Sequence, residues 1–263
     1  EDLSRNYHDR YQYIFPDFSF KKNIDIPLSY NGSFDFHSQG YYKNYETNIN
    51  ETLIINDFIF KFKNFVSTKG FLSNYNLLLK NVNNYSKNST NFDDNANYSL
   101  MTTAKYDFSY PLQKKEGDLK NLLTPKFSIR YSPNGNSKLS ENDVSLNYNN
   151  VYSFNRIGIN SQVEGGTSLS LGFEFSRENT EKDNFLDFKV ANVIKTKKNK
   201  DLPEKSNLDQ TRSDIIGELN YKFNNNFGFG YLFSLDRDLK SSNLDGIDFD
   251  FKVNNFFTNF YYY

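Results

Sequence analysis

The chain has 263 residues and a formal net charge of −1, from 31 basic and 32 acidic side chains, so it carries no global field that would steer nucleic acid. It has no Cys, which excludes disulfides, thiolate metal sites and cysteine catalysis within it. No apolar run is long enough for a membrane helix. Aromatics make up 18% of the residues, as 27 Phe and 20 Tyr without Trp, which is odd for a soluble enzyme. Mean hydropathy is −0.75 and in bulk reads as soluble. That average misleads for a membrane β-barrel, in which lumen and loops are polar and only alternate strand residues meet lipid. Glu1-Asp2-Leu3-Ser4 is not a signal peptide, so an exported protein would have lost its leader or be a fragment here.

Tyr11 to Lys22 reads as a strand carrying Pro16, which lacks a ladder donor and marks an edge, a bulge or a strand end. From Leu28 to Tyr42, Phe34 and Phe36 alternate with Ser33, Asp35 and His37. Glu46 to Lys63 carries Ile54, Phe58, Phe60 and Phe62 in phase, and Phe71 to Tyr85 carries Phe71, Tyr75, Leu77 and Leu79. Asn88 to Asn97 has no period and reads as a loop. Tyr98 to Tyr110 and Leu123 to Ser132 alternate again, with charged, turn-like Gln113 to Lys120 between them. Pro133-Asn134-Gly135-Asn136 has strong turn chemistry. The polar region to Asn150 reads as a long loop with one short strand at Val144 to Tyr148.

The stretch Asn155 to Arg177 sets the plan of the chain. Leu169, Leu171, Phe173 and Phe175 fall on one face, and Ser168, Ser170, Gly172, Glu174 and Ser176 on the other. Glu164-Gly165-Gly166 is a turn before it. Asn184 to Lys195 follows, with Leu186, Phe188 and Val190 in phase, then the polar insertion Thr196 to Gln210. Ile215 to Phe223 is a strand, and Asn224-Asn225-Asn226 a tight turn. Phe227, Phe229, Tyr231, Phe233 and Leu235 form the cleanest stripe, opposite Gly228, Gly230 and Ser234. A last strand runs from Asp248 towards Tyr263.

This makes about twelve strands of near ten residues, joined alternately by short turns and long polar loops, with Tyr41, Tyr42, Tyr110 and Tyr131 at strand edges as in an interfacial girdle. The expected fold is all-β: an antiparallel transmembrane β-barrel. Soluble sandwiches use shorter strands and Val, Ile and Leu cores. A secreted soluble β-protein and a complete small porin-like outer-membrane channel are the alternatives. In the barrel reading, Leu169, Leu171, Phe173, Phe175, Phe227, Phe229, Tyr231 and Phe233 face lipid, and Ser168, Ser170, Gly172, Glu174, Gly228, Gly230 and Ser234 line the lumen. Their small side chains would leave room for a plug or a passing glycan.

The order of segments resembles the barrel domain of the LptD family of lipopolysaccharide-assembly proteins, in its alphaproteobacterial form. The matching pieces are Tyr11 to Phe20, Leu123 to Asn134, Asn155 to Phe175, Ser213 to Tyr221 and Phe233 to Leu239. The block of Asn155, Arg156, Glu164, Gly165 and Gly166 followed by a strand is the most specific. The resemblance implies lipopolysaccharide transport and insertion at the outer membrane of a Gram-negative bacterium, without covalent chemistry and without a cofactor. It implies lipopolysaccharide, outer-membrane lipids, an LptE-like lipoprotein plug and, through a periplasmic jellyroll, a periplasmic bridge protein as partners; nucleic acid is not among them. Residues 1–263 would be the middle of a larger barrel, without the jellyroll, the family's cysteines or the terminal strands.

No residue set points to an enzyme: Ser-His-Asp spacing and a phosphate-binding glycine loop are both missing. His8 and His37 lack His or Cys partners at ligand spacing, so no metal is expected. Asp236-Arg237-Asp238 reads as a solvated turn. Glu164 and Arg156 read as a loop-to-wall ion pair which, if exposed, would contribute little. The lysines from Lys195 to Lys200 read as a solvated loop, or as a contact for lipopolysaccharide phosphates.

Overall fold

The computed structural model describes residues 12–26, 32–45, 49–89, 94–134, 139, 146–179, 181, 184–254 and 256–262. The expectations at His8, Tyr11, Leu28, Glu46, Val144 and Tyr263 fall outside those residues. The strands are β1 (Gln12–Asp25), β2 (Gly32–Tyr45), β3 (Ile49–Phe62), β4 (Phe65–Val66), β5 (Leu72–Lys87), β6 (Asn97–Ser109), β7 (Leu112–Glu116), β8 (Leu119–Ser132), β9 (Gly166–Asn179), β10 (Asn184–Lys195), β11 (Ile215–Asn224), β12 (Phe227–Leu235), β13 (Ser242–Val253) and β14 (Phe256–Tyr262). They form one antiparallel sheet. Twelve lie on its main path, and the short β4 and β7 pair off it with β5 and β8. The chain is all-β, an open sheet of barrel type, in agreement with the pattern of alternation.

Three readings need correction. Asp248 to Tyr263 is not one strand but the hairpin of β13 and β14, turned at Asn254 with φ 51°. Gln113 to Lys120 is mostly hairpin, with Gly117 at φ 60° between β7 and β8. Of the short strand proposed at Val144 to Tyr148, the described residues 146–148 are coil and turn. Pro16 behaves as its chemistry requires: the ladder with β2 shifts register between Ile14 and Asp17, and β1 ends the strand order.

The sheet divides into two compact units. The first holds β1 to β3, most of β5 and the start of β6. Its in-phase aromatics meet across strands, with Phe36 and Phe58 5.0 Å apart and Phe20 and Phe36 6.1 Å apart. Pairs of this kind contribute roughly 0.5–1 kcal/mol each. The same face carries a polar rung. Ser38 Oγ donates to Asn56 Oδ1 at 2.7 Å, Asn56 Nδ2 to Asn81 Oδ1 at 3.2 Å, and Asn83 Nδ2 to Asn81 Oδ1 at 2.7 Å. Removing that shared acceptor by Asn81→Ala leaves two amides without it among apolar neighbours. The expected loss is about 1–3 kcal/mol in a denaturant titration of the folded protein.

In the second unit the apolar stripe runs from strand to strand and is interrupted at Asn192 of β10. Leu169, Leu171, Phe173 and Phe175 of β9 stand opposite Ile129, Phe127, Pro125 and Leu123 of β8. On β10 they stand opposite Ile194, Asn192, Val190 and Phe188. Leu171 is 40% exposed and Ser170, its neighbour on the other face, 3%. Connections alternate in length: 180–183, 225–226 and 254–255 are short, whereas 133–165, 196–214 and 236–241 at the other strand ends are longer. Within the two longest of these, residues 146–165 and 196–214 fold back onto the sheet. Leu146, Tyr148, Val151, Ile157, Leu202 and Leu208 pack on Ala191, Val193 and Ile216, forming a hydrophobic core on the face that bears the small residues.

Candidate functional site

Residues 146–165 form a strap across β8 to β10. It has no regular ladder, so its polar backbone must be satisfied piecemeal. Asn147 and Asn155 cap its turns: Asn147 Oδ1 accepts from Asn150 N, and Asn155 Oδ1 from Ile157 N. Asn155 Nδ2 donates to Ile159 O at 2.7 Å. Ser170 Oγ of β9 donates to Val151 O at 2.9 Å. Gly172 lets the strap approach, because a Cβ there would lie 2.5 Å from the Tyr152 hydroxyl. Gly166 opens β9 at φ 96°, a conformation that favours glycine.

The strap is fastened by a buried cluster of charges. Arg156 is 1% exposed and Glu164 0%. Arg156 Nε donates to Glu164 Oε2 at 2.8 Å, and its two terminal nitrogens donate to Ser170 Oγ at 3.2 Å and Ser168 Oγ at 2.8 Å. Lys195 Nζ lies 2.8 Å from Glu164 Oε1 and donates to Leu208 O at 2.5 Å. Arg130 Nε donates to Phe154 O at 2.9 Å, and its guanidinium also reaches Glu164 O. Glu164 thus joins the strap to the end of β10 through its carboxylate and to the end of β8 through its backbone carbonyl. The sequence reading gave this pair little weight, since an exposed ion pair contributes little. Burial changes that, because each charge has left water and depends on its partners.

Burial works to raise the Glu164 carboxyl, but Arg156, Lys195 and Arg130 outweigh it and hold it down at about 2. A carboxyl depressed on folding stabilises above its unfolded pKa, and that stability is lost as pH falls through the folded value. Strap stability is therefore expected to fall by on the order of 3 kcal/mol between about pH 4.5 and pH 2. Hydrogen exchange of amides 150–165 across that range measures it. Burial also pushes up the hydroxyls of Tyr148 and Tyr152. Tyr148 stays protonated and donates to Glu174 Oε1 at 3.0 Å.

The structure brings together most of the residues singled out from sequence. Asn155, Arg156 and Glu164 belong to the strap, and Gly165 and Gly166 lead from it into β9. Ser168 and Ser170 lie beneath the strap, and Glu174 meets its Tyr148. Ser234 of β12 is 3% exposed and donates to Asp214 Oδ2 at 3.1 Å. Gly228 and Gly230 lie on the same strand face, opposite Asp250 and Asp248 of β13. Leu169, Leu171, Phe173, Phe175, Phe227, Phe229, Tyr231 and Phe233 share the other face. The room next to Ser168 and Ser170 is taken by the chain's own strap. Sequence reasoning missed Arg130, Lys195, Tyr148 and Tyr152. Lys195 is 6% exposed, not part of the solvated run, while Lys197, Lys198 and Lys200 are exposed. Among the described residues no group of three or more His, Cys, Asp or Glu could hold a metal ion.

The open antiparallel sheet with a one-sided apolar face is the wall of a membrane barrel in outline, and the family match decides which. A family model described as LptD, LPS transport system D, matches residues 4–263. The chain belongs to the LptD family. No curated protein matches it. LptD proteins serve lipopolysaccharide transport, a transport and assembly role at the outer membrane of Gram-negative bacteria. The LptD match covers both sheet units and the strap before β9.

Proposed function

We propose that this chain forms the middle of the wall of an LptD-type translocon barrel, its apolar face to lipid and its small-residue face to the lumen. The observation that carries this is the register. Four apolar residues of β9 continue across β8 and β10 with scarcely a break, while the opposite face buries Ser168 and Ser170 under the strap. A face made of Phe, Leu, Val and Ile is at ease in hydrocarbon; the other suits a polar passage. The strap narrows that passage and stiffens β8 to β10.

In this reading the partners are lipopolysaccharide, the surrounding outer-membrane lipids, an LptE-like lipoprotein within the lumen and, through a domain N-terminal to this one, a periplasmic bridge protein. The wall moves its cargo without a covalent step. Depleting the whole protein from cells is expected to stop new lipopolysaccharide from reaching the surface, measured by surface labelling after a pulse. Undiminished delivery would contradict the proposal.

A further inference from the structure

Within the second unit, the tip of the strap meets the first residues of β5 and the last of β6. Between them lies a cavity of about 270 Å³, whose polar lining includes Asn64, Asn74, Lys105, Asp107, Lys126 and Tyr152. Its polar groups are held in place. Lys105 Nζ lies 2.9 Å from Asp107 Oδ2 and donates to Tyr152 O at 2.6 Å. Lys126 Nζ lies 2.5 Å from Glu174 Oε1 and 6.0 Å from the centre of the Tyr152 ring. Asn74 Nδ2 donates to Asn64 Oδ1 at 2.8 Å, and Ser128 Oγ to Asp107 Oδ1 at 2.7 Å.

Two ammonium groups face two carboxylates, so the local charge balances and neither an anion nor a cation is favoured. What is offered instead is a close set of donors and acceptors on planar amides and a carboxylate, beside an aromatic ring. Adjacent hydroxyls of a sugar pair with such groups, and the C–H face of its ring suits an aromatic wall. The volume sits just below the usual range for ligand pockets, which suits a single ring over a long chain.

We propose that this cavity is a subsite for one neutral sugar unit of the glycolipid that passes the wall. The proposal rests on the reading of this chain as part of a lipopolysaccharide translocon. It places the glycan at the strap tip, where Tyr152 is carried into the cavity by the Glu164 fastening.

The test is photo-crosslinking in the whole protein in cells, with the photoreactive residue placed at Asn74, at Ser109 beside the same cavity, or at Asn220 on the small-residue face of β11. Glycolipid adducts are expected at Asn74 and Ser109 at about fivefold the yield at Asn220 or more. The filling substitution Asn74→Phe should abolish the excess at Ser109 while the protein still shows the heat-shifted gel mobility of a folded barrel. Equal or lower yields at Asn74 and Ser109 would overturn the subsite and leave the transport reading standing. Adducts at none of the three positions would overturn both.

Discussion

Glu164→Ala is expected to cost about 3–5 kcal/mol, because it strands Arg156 and Lys195 in the interior without their shared anion. Arg156 is 1% exposed, so water cannot replace the carboxylate without opening the strap. The loss should therefore read as release of residues 146–165, with fast hydrogen exchange there and slower exchange retained in β9 and β10. Arg156→Met is expected to cost less, since Glu164 then keeps Lys195 at 2.8 Å. A Glu164→Ala protein whose strap amides stay protected would show that the core of Leu146, Val151, Ile157 and Leu208 holds the strap without the charges.

Phe229→Arg is expected to destabilise the barrel in bilayers by about 2–4 kcal/mol, the cost of a basic residue deep on a lipid face. Phe229 stands between Tyr221 of β11 and Phe249 of β13, and its ring lies 5.2 Å from that of Phe249. The substitution places a charge in this aromatic run and removes the ring pair. Asn220→Arg, on the other face of β11, should change stability little. Unfolding titrations of both variants in vesicles compare them, and a near-neutral Phe229→Arg would contradict the lipid-facing assignment.

The fold was legible wherever burial is one-sided. Period-two alternation survives in β9, β11 and β12 because a single slip would turn every Phe to the wrong face. It failed where the phase was not followed to the strand end. Lys195 alternates with Ala191 and Val193, so its inward position was readable, but its neighbours Lys197, Lys198 and Lys200 gave it the look of a solvated run. Asn254, at φ 51° after β13, is the same kind of signal as Asn224-Asn225-Asn226, set inside an aromatic stretch.

The strap was not legible from local pattern, because an irregular segment has no period to announce what it buries. Its Asn and Ser residues are those of any loop; only the packing shows that they cap turns and meet β9. What the sequence did show was the block of Asn155, Arg156, Glu164, Gly165 and Gly166, without its reason. The structure supplies that reason: Asn155 shapes the turn, Arg156 and Glu164 fasten the strap to β9, and Gly166 enters the strand at positive φ.

The central claim, that one face of this sheet meets lipid and the other a polar lumen, is tested most directly by single-cysteine labelling within residues 1–263, which hold no native Cys, after replacing any cysteine elsewhere in the protein. Cysteines placed one at a time at Leu171, Phe173, Glu174, Phe175 and Ser176 of β9, in the whole protein in outer membranes, would be exposed to a water-soluble thiol reagent and to a bilayer-confined one. The account predicts strict alternation, with Leu171, Phe173 and Phe175 labelled from the bilayer and Glu174 and Ser176 only from water. Labelling of all five positions from water, or the reverse alternation, would contradict it.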